Sequence, residues 1–365
     1  MKKIAIVTWI GSLNYGTSLQ SFALQYALEN KGYRTNLLDL VYSKKNAKQK
    51  KGLLFPLRIV KRWFIDKKSN DKPSKMRRFH KDCQKIVSPS NAIELNRIVN
   101  ETDVFVSGSD QIWNVVHRFD KNMFLSFAQN KKRISYSSSI GINSIPIEYQ
   151  DEVKNLLSAY SHISVREQKA VDVLSELTKR NDIVQVVDPT FLLTKDEWSH
   201  LCKDSWTPSS IKYLLCYFIG ENDFYSKQVD DIRKKMQFDS VVVVVHRLPL
   251  KVHIDGATII DNAGPLDFVN LIQHAACVCT DSFHATAIAL NSSVDFIEFL
   301  RFSNDDENSQ NSRIFGLLDH YGLQSRLYSS DYDDWMNRID YENVQNILED
   351  DRKKSWNYLI NAIER

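Results

Sequence analysis

The chain has 365 residues, 43% hydrophobic and 25% charged, with a formal net charge of +3. That is the composition of a soluble globular protein, too long for one ordinary core, so two domains are expected. No run approaches the roughly 20 apolar residues of a membrane span, and the apolar stretch that begins at Ile4 is too short for a signal peptide, so a cytoplasmic location is expected.

Lys3–Trp9 reads as a first strand, followed by a helix from about Ser18 to Asn30 that Lys31-Gly32 ends, then a strand over Arg34–Leu40. Next comes a strongly basic insertion. Lys44 to Lys85 holds 16 Lys and Arg against 3 Asp and Glu, a local net charge of +13 around the apolar series Leu53–Ile65. It reads either as a solvated helical insertion or as a surface for anionic phospholipid or a lipid-linked acceptor. Nucleic acid is not expected, because no nucleic-acid-binding motif accompanies the charge.

Past a helix at Ala92–Asn100 come strands at Asp103–Ser107, Ile134–Ser138 and Ile163–Val165, a helix from Arg166 to about Lys179, and a strand at Ile183–Val187. Asp188-Pro189-Thr190 breaks the pattern, and a boundary near Lys195 divides the chain into domains 1–195 and 196–365. The second half restarts with a strand at Tyr213–Ile219, a helix around Ser226–Lys235 and the valine run Val241–Val245. A helix from Gly264 to His274, a strand at Ala276–Thr280 and a helix after His284 follow, then a strand at Val294–Leu300 and a helix near Ile314–Tyr321. The last helix, about Val344 to Glu364, is placed to pack back on the first domain. Strands alternating with helices predict parallel sheets covered by helices. The five cysteines are odd in number and lack metal-ligand spacing; Cys277 and Cys279 share one face of a strand, so reduced thiols and no metal site are expected.

Polar clusters recur just after strands, where open α/β sheets bind ligands. Gly11 to Gln20, with Asn14 and Gly16, suits a tight turn that lets backbone approach a ligand. Gly108-Ser109-Asp110 brings a carboxylate and a hydroxyl to the same rim, where Asp110 acts as base or as cap. Arg166, directly after a strand, opposes a helix dipole unless an anion or a salt bridge to Glu167 or Asp188 compensates. Asp281-Ser282-Phe283-His284 puts an imidazole in the first turn of a helix, where it serves as an anion ligand or an acid–base group. Arg247 and Arg313 supply further cations.

Taken in order, Asn14-Tyr15-Gly16 with Leu19-Gln20, Ser107 to Asn114, Ser164-Val165-Arg166, Asp188-Pro189-Thr190 and Asp281 to His284 resemble the motifs of the polysaccharide pyruvyl transferase family. The resemblance spans roughly Lys3 to Arg313. It implies two Rossmann-like domains facing across a cleft, as in B-type glycosyltransferases. It also implies transfer of a pyruvyl group from phosphoenolpyruvate, with no further cofactor, onto hydroxyls of a sugar that is free or lipid-linked, giving a ketal in a cell-surface polysaccharide such as a capsule or exopolysaccharide. Carried over by position, Arg166 binds the donor carboxylate or phosphate and His284 is the catalytic acid or a phosphate ligand; the chemistry also asks for a base, for which Asp110 is the candidate. Arg166, Asn14, Gly16, Gly108, Ser109, Ser282 and Arg313 line the substrate site. Family members with Arg-Leu-His carry an arginine where this chain has Ser282; Arg313, Arg247 or backbone N–H groups are the candidates to replace it. The location expected for this chain is the cytoplasm, or the inner face of the membrane through the basic segment 44–85. A glycosyltransferase using a nucleotide sugar and a non-catalytic sugar-binding relative stay open as alternatives.

Overall fold

The computed structural model describes residues 1–40, 70–205, 212–250, 252–302 and 310–365. Five strands, β1 (Lys3–Val7), β2 (Arg34–Leu38), β3 (Ile86–Val87), β4 (Val104–Ser107) and β5 (Lys132–Ser135), form a wholly parallel sheet in the order β3-β2-β1-β4-β5. Apolar runs such as Ile4–Val7 and Val104–Val106 are buried on both faces, as a parallel sheet covered by helices requires. The short pair β6 (Ser164–Val165) and β7 (Val184–Gln185) continues the β5 edge through bridges at Ile134–His162 and Ser138–Val165.

The second half repeats the plan. Strands β8 (Tyr213–Tyr217), β9 (Ser240–Val244), β10 (Thr258–Ile260), β11 (Cys277–Thr280) and β12 (Phe296–Glu298) are parallel in the order β10-β9-β8-β11-β12. In each sheet the order in which strands are added reverses once, between β1 and β4 and between β8 and β11, and ligands of such folds sit outside the strand ends there.

One core joins the halves. The helix Tyr15–Asn30 is buried nearly all round, as befits a helix caught between two layers. Its Tyr15 stacks on Phe268 at 4.5 Å and donates to the Ala263 carbonyl, and Phe22 meets Trp198 at 6.1 Å. Each such side chain contributes about 1.5–3 kcal/mol by leaving water. The C-terminal helix Tyr341–Glu364 buries Val344, Leu348, Leu359 and Ile363 on one face. It reaches the first sheet, where Tyr358 donates to the Ser135 carbonyl and Lys2 donates to that of Ile363.

Several boundaries differ from the sequence reading. The first helix begins at Tyr15, not Ser18, because the Asn14 side chain accepts from the Gly16 and Thr17 N–H groups and caps it. The helix expected from Arg166 begins at Gln168, which leaves Arg166 ahead of the first turn. Strand β10 and the helices Ile147–Ser158 and Lys195–Leu201 were not expected. Of the basic segment, residues 44–69, with the apolar series Leu53–Ile65, lie outside the described residues, and so does its expected membrane-facing role. Its end is the helix Lys72–Cys83, clasped to the second half: Lys72 Nζ donates to the Val245 and His246 carbonyls, and Lys75 pairs with Asp267 at 2.7 Å. Among the described residues no helix is long and apolar enough to cross a membrane, and no group of three His, Cys, Asp or Glu side chains is placed to hold a metal. All five cysteines are free.

Candidate active site

The carboxyl ends of β1, β4 and β11 meet at the seam between the sheets. His284 is the second residue of the helix Phe283–Asn291, and the N-terminus of the helix Tyr15–Asn30 abuts it. A Cβ on Gly16 would lie 2.2 Å from His284 Nδ1, so only glycine admits the imidazole here. On the other side His284 Nε2 stands 3.6 Å from Asp188 Oδ2, within ion-pair range but too far for a hydrogen bond, and Nε2 is buried without a partner.

Asp188 is the hub. Its Oδ1 accepts from the Thr190 N–H and hydroxyl, and its Oδ2 accepts from Ser109 Oγ at 2.9 Å and Arg166 Nη1 at 3.1 Å. Burial pushes its pKa up, but His284 and Arg166 outweigh that and hold the carboxyl far below the usual range. It is a carboxylate held ionised although it is almost fully buried.

The Arg166 side chain is only 2% exposed and its guanidinium lies 4.3 Å over the Phe283 ring. Burial lowers its pKa, while Asp188 and Glu167 more than offset that and raise it overall. Glu167, 3.7 Å from Arg166 Nε, is itself held by Ser139 Oγ at 2.6 Å. Arg166 Nε and Nη2 remain buried without hydrogen-bond partners. A buried donor left unpaired costs about 1–3 kcal/mol, more when charged, so these N–H groups call for an acceptor.

Asp110 has φ +72°, the left-handed region that a non-glycine residue occupies at a price in strain. Its Oδ2 accepts from Thr17 Oγ1 at 2.8 Å and its Oδ1 from the Gln111 N–H. Burial raises its pKa, but His284 and Arg166 lower it further, so it too is ionised.

Arg313 reaches the same neighbourhood from the helix Ser312–His320. It donates to Gln310 at 2.7 Å and, with the Gln111 amide oxygen turned toward it, to Gln111 at 3.0 Å; its Nε is buried without a partner. Burial first, then the charges of Arg166 and Arg301, pull its pKa down to about 9. Such crowding of cations is relieved by a bound anion. Arg301, which holds the Asp281 carbonyl at 2.9 Å, was missed by the sequence reading, although it directly follows a predicted strand.

The structure thus brings His284, Gly16, Ser109, Asp110, Arg166 and Arg313 together. Asn14 serves as a helix cap, and Gly108 lets the chain pass Thr8, whose Cβ a side chain there would meet at 3.1 Å. Ser282 precedes the His284 helix without capping it through its side chain. Arg247 lies apart, in a small hollow beside the ends of β8 and β9. Asp188, quoted above only as part of a motif and a salt-bridge partner, turns out to be central.

Residues 14–304 match the protein family described as polysaccharide pyruvyl transferase. The chain belongs to the polysaccharide pyruvyl transferase family. No curated protein matches it. Among solved structures, this family member is similar to a UDP-GlcNAc 2-epimerase from Neisseria meningitidis bound to UDP-GlcNAc, at 10% identity over 99% of this chain and 100% of that one, with a TM-score of 0.51. The S. aureus MnaA–UDP structure is 15% identical over 96% and 87% of the two chains, with a TM-score of 0.51. A UDP-GlcNAc 2-epimerase from Methanocaldococcus jannaschii is 13% identical over 96% and 99%, with a TM-score of 0.50. At such identities the likeness is one of fold: two Rossmann-like domains arranged as in B-type glycosyltransferases.

Proposed function

We propose that this transferase moves the pyruvyl group of phosphoenolpyruvate onto two hydroxyls of a sugar, forming a ketal and releasing phosphate. The observation that carries the reading is the set of buried, unpartnered guanidinium N–H groups on Arg166 and Arg313 beside His284. A substrate with both a carboxylate and a phosphate supplies the acceptors those groups lack. Arg313 then stands in for the arginine that Ser282 replaces.

His284 gives its proton to carbon 3 of the donor, which becomes a methyl group and leaves carbon 2 electrophilic. Asp188 stabilises the imidazolium before that transfer. One sugar hydroxyl attacks carbon 2 and its proton passes to Asp110. The low basicity of Asp110 means that it takes the proton as the carbon–oxygen bond forms, not earlier. The second hydroxyl then displaces phosphate, which carries its proton away.

A nucleotide-sugar donor is the rival. Against it stands Asp281, whose carboxylate fills the crevice between β8 and β11, accepting from the Ile219 and Gly220 N–H groups at 2.7 Å each and from Tyr225. Those are backbone donors that a diphosphate would otherwise recruit at the switch point. The deciding assay is phosphate release from phosphoenolpyruvate over a panel of sugar acceptors, run beside nucleotide release from sugar nucleotides. His284→Ala should slow the first by at least about 100-fold with the melting temperature kept. Nucleotide release without acceptor-dependent phosphate release refutes the proposal.

A further inference from the structure

Beside the reactive cluster lies a cavity of about 720 Å³, framed by the residues that follow β6, the end of β7, the helix Ser312–His320 and the C-terminal helix. It is within the roughly 300–1,000 Å³ of small-molecule sites and exceeds what a three-carbon phosphate ester fills. Its two ends differ in chemistry. The inner end is walled by Arg166, Asp188, Phe283 and Arg313, which belong to the site already described. The outer end presents Phe315 and Tyr321 beside Asp319, Asp351, Lys169 and Lys354.

With His320 drawn to Asp351, the two carboxylates and two ammonium groups leave the outer end without a concentrated positive charge for a second anion. Aromatic faces next to carboxylates suit a neutral, hydroxyl-rich ring, whose hydroxyls donate to the carboxylates while its C–H faces lie on the aromatic rings. One of the two carboxylates is held in place. Asp351 accepts from Tyr321 at 3.2 Å and lies 2.5 Å from His320 Nε2, tying the two helices that form this wall. The facing seam is closed where Gly16 meets His284, and Tyr15 and Lys72 bind carbonyls of the opposite half.

We infer that the outer end of this cavity is the acceptor subsite, seating a neutral saccharide so that its hydroxyls approach Asp188 and Arg166 from the C-terminal-helix side. This deepens the pyruvyl-transfer reading and rests on it for the donor at the inner end.

Gly316 lines the cavity, and a Cβ there meets nothing within 4 Å, so a side chain starts from this position in open space and a large one takes up room that the ligand would use. Saturation-transfer NMR with methyl glycosides of glucose, galactose, mannose and N-acetylglucosamine reads saccharide binding; the thermal shift given by phosphoenolpyruvate reads the donor end. Wild type and Gly316→Ala should transfer saturation to the sugar ring protons, and Gly316→Trp should weaken that binding by about tenfold or more. All three should keep the phosphoenolpyruvate shift. No signal from any glycoside with wild type, or equal signal in Gly316→Trp, overturns the subsite. Loss of the phosphoenolpyruvate shift in Gly316→Trp also overturns it, because the whole cavity then belongs to the donor. A tryptophan-sensitive glycoside signal with no phosphoenolpyruvate shift in wild type upholds the subsite and refutes the donor assignment instead.

Discussion

Replacing Gly16 by alanine reverses the usual sign of that substitution in a helix. Glycine is ordinarily the worse residue by about 1 kcal/mol. Here the added methyl would lie 2.2, 2.4 and 2.7 Å from Nδ1, Cγ and Cβ of His284. Carbon contacts are comfortable at about 3.5–4.0 Å, so the ring must retreat by more than about 1 Å. Rotating the ring does not clear the clash, because His284 Cβ is itself too close; the helix Phe283–Asn291 must move. Overpacking of this kind costs about 1–3 kcal/mol, leaving a net loss of up to about 2 kcal/mol after the helix gain of about 1 kcal/mol. In domains of 150–250 residues that loss lowers the melting temperature by about 2–4 °C per kcal/mol, so a drop of a few degrees is expected. The same displacement takes His284 out of register with its substrate, and 1 Å of misplacement lowers turnover by about 10²-fold. Thermal melts and phosphoenolpyruvate-dependent phosphate release read both effects, with Gly316→Ala as the control for stability alone at an open helical position. A Gly16→Ala protein that melts at or above the wild-type temperature and keeps its turnover would show that the seam stands open in solution, and the close approach of the two helix starts would lose its role.

Asp188→Asn should destabilise the protein by about 3–5 kcal/mol in urea unfolding, since it strips a fully buried Arg166 of its main counter-charge. Because the Asp188 pKa is depressed in the fold, that contribution is present above the unfolded value of about 3.9 and is lost as pH falls through the folded one. The gap to wild type should therefore hold from about pH 8 to about pH 5; a gap under about 1 kcal/mol means that Arg166 has found another anion. His320 runs the other way. Its hydrogen bond to Asp351 raises its pKa, so its stabilisation is complete below the unfolded value of about 6.5 and fades as pH rises through the folded value. Wild type should lose its thermal advantage over His320→Gln between about pH 6 and pH 9, and a constant advantage across that range contradicts the pairing.

The strands were legible because a parallel sheet covered on both faces needs unbroken apolar runs such as Val104–Val106 and Val241–Val244. What escaped was local. The helix Ile147–Ser158 starts behind Pro146 with no side-chain cap, so its onset carries no Ser, Thr, Asp or Asn signal. Three-residue β10 is too short to declare a period. The clustering of His284, Arg166 and Asp110 was legible because each follows a strand, and parallel strands deliver their ends to one side. The centrality of Asp188 was not. Its partners Ser109, Arg166 and His284 come from three separate strand ends, and only the apposition of the two sheets makes one carboxylate serve all three.

The helix Tyr15–Asn30 sets the protein's motions as well as its shape. Hinging the sheets apart would expose Tyr15, Leu19 and Phe22, each fully or almost fully buried, at about 1.5–3 kcal/mol apiece. Conformers populated at 0.1–10% lie only a few kcal/mol above the ground state. Wide gaping of the two halves is therefore a sparsely populated state. Breathing is left to the thinner wall, where the helix Ser312–His320 leans on the C-terminal helix, and the tempo of substrate exchange should be set there.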